Sequence, residues 1–502
     1  MATLSVAAIL AENARRRPDK TALVEGDLRL TFAEAWRRAL ARAGALTALG
    51  VRPGDRVALM APNTAEFPLA YYAIAAAGGV VVPVHLLLSV GEVEHVLRDS
   101  GAGLLLVHPA QADTGRAAAE ALGIRVVTLG EEFATLAADA EPLPSYTTRA
   151  ADDPAVVFYT SGTTGVPKGA VLSHFNLVMN ATVNAFDAND VRADDIALGA
   201  LPLFHAFGQT VSLNSTWRAG ATLVLLPRFD AARAIELMVR ERVNTFQGVP
   251  TMFVALAAAA ADAAELPALR LCISGGASLP VAVLERFETA FGTRIYEGYG
   301  LSETSPTATV NQPVFGTKAG TIGHPLWGVD VEIARAETEG RIELLPPGEL
   351  GEVVIRGHNV FSGYLGRPEA TAEALVDGWF RTGDLGTKDE EGFLRIVDRK
   401  KDVIIRGGYN VYPREVEEVL MRHPGIAQVA VIGLPDELHG EEVCAVVVPA
   451  GDTAPDAAGI TEWSREHLGK HKYPRRVEFT DALPLGPSMK VLKRELRTRY
   501  AG

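Results

Sequence analysis

Apolar positions in this chain alternate between short continuous runs and stripes at helical spacing. Residues 56–60, 103–107, 155–159, 222–226 and 269–273 are runs rich in Val, Leu, Ile and Ala, which suit buried strands. Between them, apolar stripes at helical period predict helices over 32–49, 65–77, 231–241 and 280–291. This alternation holds from Leu30 to about Val397 and implies α/β layers with largely parallel sheets. From Gly320 to Arg356 short strands and turns take over, including Pro346-Pro-Gly348, which predicts a β-rich subdomain. A charged stretch, Asp398-Arg-Lys-Lys-Asp402, then precedes a compositionally different segment. There a helix is expected at 413–421, with Pro413 in its first turn and Val416, Val419 and Leu420 at core spacing. Strands are expected at 428–432 and 444–448. The expected fold is α/β: a large N-terminal domain over 1–400 and a small, mobile α+β C-terminal domain over 401–502.

Composition narrows the classes. A chain of 502 residues exceeds one compact core and calls for at least two domains. A net charge of −13 repels polyanions, so nucleic acid is not expected as a partner. Cys272 and Cys444 are too few for a disulfide framework or a zinc site and fit a reducing, cytoplasmic setting, with Cys272 a core residue. The apolar start, residues 1–10, is followed rather than preceded by Arg15-Arg-Arg17, unlike a secretory signal. Residues 71–88 are the most apolar region, but Gly78-Gly79 and Pro83 interrupt them and Val80-Val-Val82 suits a buried strand, so no transmembrane segment is expected. The terminal Tyr500-Ala-Gly502 is not the Ser-Lys-Leu peroxisomal address.

The densest chemistry lies in Tyr159-Thr-Ser-Gly-Thr-Thr-Gly-Val-Pro-Lys-Gly169, directly after an apolar run. Gly162 and Gly165 allow close backbone approach, and Ser161, Thr163 and Thr164 add hydroxyl donors. Lys168 supplies a compact positive charge, and Pro167 stiffens the loop. Together these suit a nucleoside triphosphate. The loop is not a Walker loop, because Pro167 stands five positions after Gly162 and Lys168 is followed by Gly169.

Further motifs offer complementary groups. Ser274-Gly-Gly-Ala-Ser278 lies between a strand and a helix, where exposed N–H groups can flank a purine or phosphate. In Gly298-Tyr-Gly-Leu-Ser-Glu-Thr304, Tyr299 can stack on a base, Ser302 bond a phosphate and Glu303 hold magnesium through oxygen. Asp384, in Trp379-Phe-Arg-Thr-Gly-Asp-Leu385, can accept hydrogen bonds from ribose hydroxyls.

In order and spacing these motifs resemble those of the adenylate-forming superfamily, which holds acyl-CoA synthetases, aryl-CoA ligases, luciferases and adenylation domains. The likeness runs nearly the whole length and is nearest to bacterial fatty-acid–CoA ligases. It implies that Asp384 and Arg399 bind the ribose and that Glu303 binds Mg2+. It places Glu297, Gly298 and Tyr299, with Gly276 and Ala277, around the adenine and acyl phosphate. Thr160 joins Glu303 and His205 in the catalytic set, and Lys401 matches the family hinge. Gly407 and Gly408 match a loop lining the pantetheine channel. Lys490, in Pro484-Leu-Gly-Pro-Ser-Met-Lys490, matches the adenylation lysine. The family usually has glycine before that lysine, where this chain has Met489; if that position takes positive φ, the substitution costs roughly 1–2 kcal/mol.

The implied activity is ATP-dependent conversion of a carboxylic acid to acyl-AMP, then transfer to coenzyme A, with ATP, Mg2+ and coenzyme A required. Leu201-Pro-Leu-Phe-His-Ala-Phe-Gly208 resembles the acyl-flanking segment, with His205 and Phe207 beside the acid. It has no aspartate for an α-amino group, and Gly298 stands where dicarboxylate-specific relatives carry arginine. A medium- or long-chain fatty acid is expected, with an aryl or cinnamate-type acid as the alternative. Loading of a carrier protein, a luciferase-like oxygenase and a nucleotide sensor without turnover stay open, as do a monomer or a homodimer and transient contact with a membrane surface.

Overall fold

The computed structural model describes residues 2–160, 167–451, 456–486 and 491–501. It is a mixed α/β structure with a large N-terminal domain and a smaller C-terminal one. Two large sheets form the body. In the six-stranded sheet, Arg56–Met60, Val80–Pro83, Leu104–Val107, Arg125–Thr128 and Pro154–Thr160 run parallel, and Lys168–Ser173 folds back antiparallel at its edge. The nine-stranded sheet has a parallel centre that includes Ile196–Gly199, Thr222–Leu225, Thr245–Gly248, Leu271–Ser274 and Ile295–Gly300. Strands buried on both faces read as unbroken apolar runs, which is why these segments were legible as strands.

The expected helices form with slightly tighter ends: Phe32–Ala48, Glu66–Ala76, Ala231–Arg240 and Val281–Phe291. The first begins at a capping box in which Thr31 and Glu34 satisfy each other's backbone N–H groups, and it buries Phe32, Ala35, Ala39, Ala43 and Leu46. Helix Glu66–Ala76 is buried nearly all round, since it packs against the first helix inside the principal core.

Residues beyond Val329 build a five-stranded antiparallel sheet that includes Gly351–Gly357, Trp379–Lys388 and Leu394–Arg399. From Ile404 onward a separate five-stranded sheet forms around the long hairpin Ile426–Asp436 and Gly440–Pro449, with helix Pro413–Leu420 packed on it. Among the described residues, no helix is long and apolar enough to cross a membrane.

Candidate active site

The loops between these sheets enclose a cavity of about 1840 Å³. Strand Pro154–Thr160 delivers Thr160 to it, and the antiparallel register Thr160↔Lys168 sets Lys168 directly opposite. The Lys168 ammonium lies 5.3 Å from the centroid of the Tyr364 ring. Ser161, Gly162, Thr163, Thr164 and Gly165 lie outside the described residues. The Tyr159 hydroxyl turns away and donates to Asp99 at 2.8 Å.

Strand Ile295–Gly300 leads into a short 3-10 turn, Ser302–Thr304. Gly300 makes that turn possible, because a Cβ there would stand 1.7 Å from the Pro306 carbonyl oxygen. The turn brings Ser302 and Glu303 to the cavity beside Gly298 and Tyr299. Glu303 is 7% exposed, and its Oε1 accepts hydrogen bonds from Thr160 Oγ1 at 3.2 Å and Tyr364 Oη at 3.0 Å. Both donors act on one oxygen. The carboxylate is thereby oriented, and its remaining lone pairs suit a hard cation such as Mg2+.

Asp384 sits on strand Trp379–Lys388 in register with Arg399 on Leu394–Arg399. It is 4% exposed and accepts from Tyr299 Oη at 2.6 Å on Oδ2, while its Oδ1 lies 3.2 Å from Arg399 Nε. Burial and then the Asp384 charge push the Tyr299 hydroxyl well above its ordinary range, so Tyr299 stays a neutral donor. Lys401 lines the same cavity, its affinity for protons lowered by burial and by Arg399.

His205, Phe207, Val211 and Ile273 form another wall, with Gly276 on the loop above it. His205 Nδ1 accepts the Phe207 N–H at 3.3 Å. Phe207 lies so close to the backbone of Gly275 that a Cβ there would come within 3.1 Å of the ring.

Other expected residues stand elsewhere. Glu297 points its carboxylate away from the cavity: Oε1 accepts the Leu279 N–H at 3.0 Å, and Oε2 is buried with no partner among the described residues. Burial raises its pKa to about 7, against the pull of Arg414. Ala277 does not line the cavity. Gly407 and Gly408, at φ +56° and +82°, make the tight turn between Ile404–Arg406 and Tyr409–Val411, and neither reaches the cavity. Lys490, and Met489 before it, lie outside the described residues, although Leu492 lines the cavity. Tyr364 and Asn184 are cavity residues that the sequence reading missed. Neither lies in the motifs described above, and the bond that orients Tyr364 spans 61 residues.

The family models place this geometry. One described as AMP-binding enzyme matches residues 10–365, and its partner, AMP-binding enzyme C-terminal domain, matches residues 415–490. The chain belongs to the AMP-binding enzyme family. Its relatives make it an AMP-forming acid–CoA ligase of the adenylate-forming superfamily. A feruloyl-CoA synthase from an Amycolatopsis species is 43% identical over 97% of each protein. A long-chain-fatty-acid–CoA ligase from Bacillus subtilis is 35% identical, over 97% of the ligase described here and 93% of the Bacillus protein. Among solved structures, the anthranilate CoA ligase AuaEII in complex with anthranoyl-AMP superposes with a TM-score of 0.93 at 28% identity, covering 99% of this ligase and 97% of that chain.

Proposed function

We propose that this ligase activates an aryl, cinnamate-type carboxylic acid and transfers it to coenzyme A. A single cavity carries the reading: Glu303 and Asp384 supply polar groups to it, and Phe207, Val211 and Ile273 give it an apolar wall. Phe207 brings an aromatic ring to that wall, a stacking partner for an aryl acid. The 43% identity to a feruloyl-CoA synthase supports the aryl class. The relatives named for long-chain fatty acids keep the fatty acid as the competing reading.

Asp384 and Arg399 hold the ribose, Lys168 and the loop before it the outer phosphates, and Thr160 and Tyr364 keep Glu303 aimed at the site of Mg2+. When bound, Mg2+ supplies charge neutralisation on the phosphates. The acid's carboxylate oxygen bonds to the α-phosphorus of ATP as the bond to the β-phosphate oxygen breaks, and pyrophosphate leaves. Lys490 stabilises the negative charge that builds there. We place the domain boundary at residues 400 and 401, with Lys401 the hinge. After rotation Gly407 and Gly408 line the thiol's approach; sulfur bonds to the acyl carbon, AMP departs and the thiol proton passes to solvent.

Pyrophosphate release measured over cinnamate, benzoate, octanoate and palmitate, with and without coenzyme A, tests the acid. Cinnamate should give the highest kcat/KM, and coenzyme A should speed turnover. Faster turnover of octanoate or palmitate would return the assignment to the fatty acids.

A further inference from the structure

Asn184 opens a π-helical turn, Asn184–Ala188, directly after helix His174–Val183, and lines the cavity while only 2% exposed. Its orientation is determined. The amide Nδ2 donates to the backbone carbonyl of Asn180 at 2.8 Å and to Asn180 Oδ1 at 3.0 Å. A carbonyl oxygen accepts only, so the nitrogen must face Asn180 and the oxygen must face away. Asn180 is fixed in turn: its Nδ2 donates to the Thr307 carbonyl at 2.8 Å and its Oδ1 accepts the Thr307 N–H at 3.3 Å. Thr307 opens the strand Thr307–Val310, whose Val310 lines the cavity.

Asn184 Oδ1 accepts no hydrogen bond from any described residue. Phe207, Val211, Ile273 and Val310, which line the same cavity, carry no side-chain donor. A rigidly held acceptor with no partner discriminates between acids that bring a donor and acids that do not, since a bound acid that leaves it unmatched forfeits that hydrogen bond. We propose that Asn184 Oδ1 reads a hydrogen-bond donor on the ring of the acid, so that the ligase prefers a phenolic aryl acid over the unsubstituted one. The inference rests on the aryl reading above and deepens it.

Steady-state kcat/KM for 4-hydroxycinnamate, cinnamate and 4-methoxycinnamate tests it, in the wild type and in Asn184→Leu and Asn184→Ala. The wild type should favour the hydroxyl compound over both others by about tenfold or more, because only a phenol donates. In either variant the ratio of hydroxyl compound to cinnamate should fall to about one. A ratio is independent of how much enzyme folds, so a destabilised variant still reports. A wild type that does not distinguish the hydroxyl compound overturns the inference, as does a preference that survives both substitutions. Failure to turn over any of the three acids, with octanoate active, would instead overturn the aryl reading itself.

Discussion

Glu303 is gripped on one oxygen and left open on the other, an asymmetry that separates orienting the carboxylate from occupying it. Tyr364 supplies half of that grip at 3.0 Å, and burial followed by the neighbouring Glu303 charge keeps its hydroxyl protonated. Removing one donor to a charged acceptor forfeits about 1.5–3 kcal/mol, so Tyr364→Phe should lower kcat for pyrophosphate formation about tenfold or more. The Mg2+ concentration giving half-maximal rate should rise, while Tm changes by only a few degrees. An unaltered Mg2+ dependence would show that Thr160 alone orients the carboxylate.

Strand Ile295–Gly300 performs two tasks. Gly298 and Tyr299 turn toward the cavity, whereas Glu297 between strand and helix is buried away from it. With its pKa lifted from 4.5 to about 7, Glu297 holds its proton in the folded chain across a window where the unfolded chain has released it. Stability should therefore fall as pH rises through that window and level off above it. Glu297→Gln keeps an acceptor for the Leu279 N–H without the ionisation. Relative to wild type it should gain up to about 3 kcal/mol between roughly pH 5 and pH 8, read by denaturant unfolding at each pH. Equal pH profiles would mean that Arg414 pairs with the charged carboxylate.

The same strand shows what the sequence made legible. Apolar runs located the body strands to within a residue or two, because burial on both faces leaves its mark on consecutive side chains, whereas the hairpin Ile426–Asp436 and Gly440–Pro449 extends up to four residues beyond the expected 428–432 and 444–448. Glu303 and Asp384 could be singled out as candidates because each sits in a compact motif, and both line the cavity. The direction of the Glu297 side chain was not legible, since alternation along a strand is resolved only when the facing layers are known. Tyr364 was hidden for another reason: its partner, Glu303, lies 61 residues away in the chain.

At the scale of the whole molecule, the C-terminal sheet meets the body through charged and hydrogen-bonded links around the proposed hinge. Asp398 accepts the Arg414 N–H at 2.9 Å, and the Arg414 guanidinium donates to the Ile396 carbonyl at 2.6 Å. Leu492 reaches the cavity in this arrangement. If one orientation serves each half-reaction, Lys490→Ala should reduce acyl-AMP formation by a factor of about a hundred or more, the scale of losing one preorganised charge-stabilising group. Thioester formation from supplied acyl-AMP should stay within a few fold. Equal loss in both steps, followed by quenched-flow assay of each, would contradict a lysine that works in one orientation alone.

The Asp398 carboxylate also caps the first turn of helix Pro413–Leu420 from the far side of Lys401. A rotation at Lys401 that carries the helix away must release the Arg414 amide to solvent. That one backbone hydrogen would exchange slowly while the acid is being activated and quickly once coenzyme A is admitted, giving the ligase a natural clock for its own domain motion.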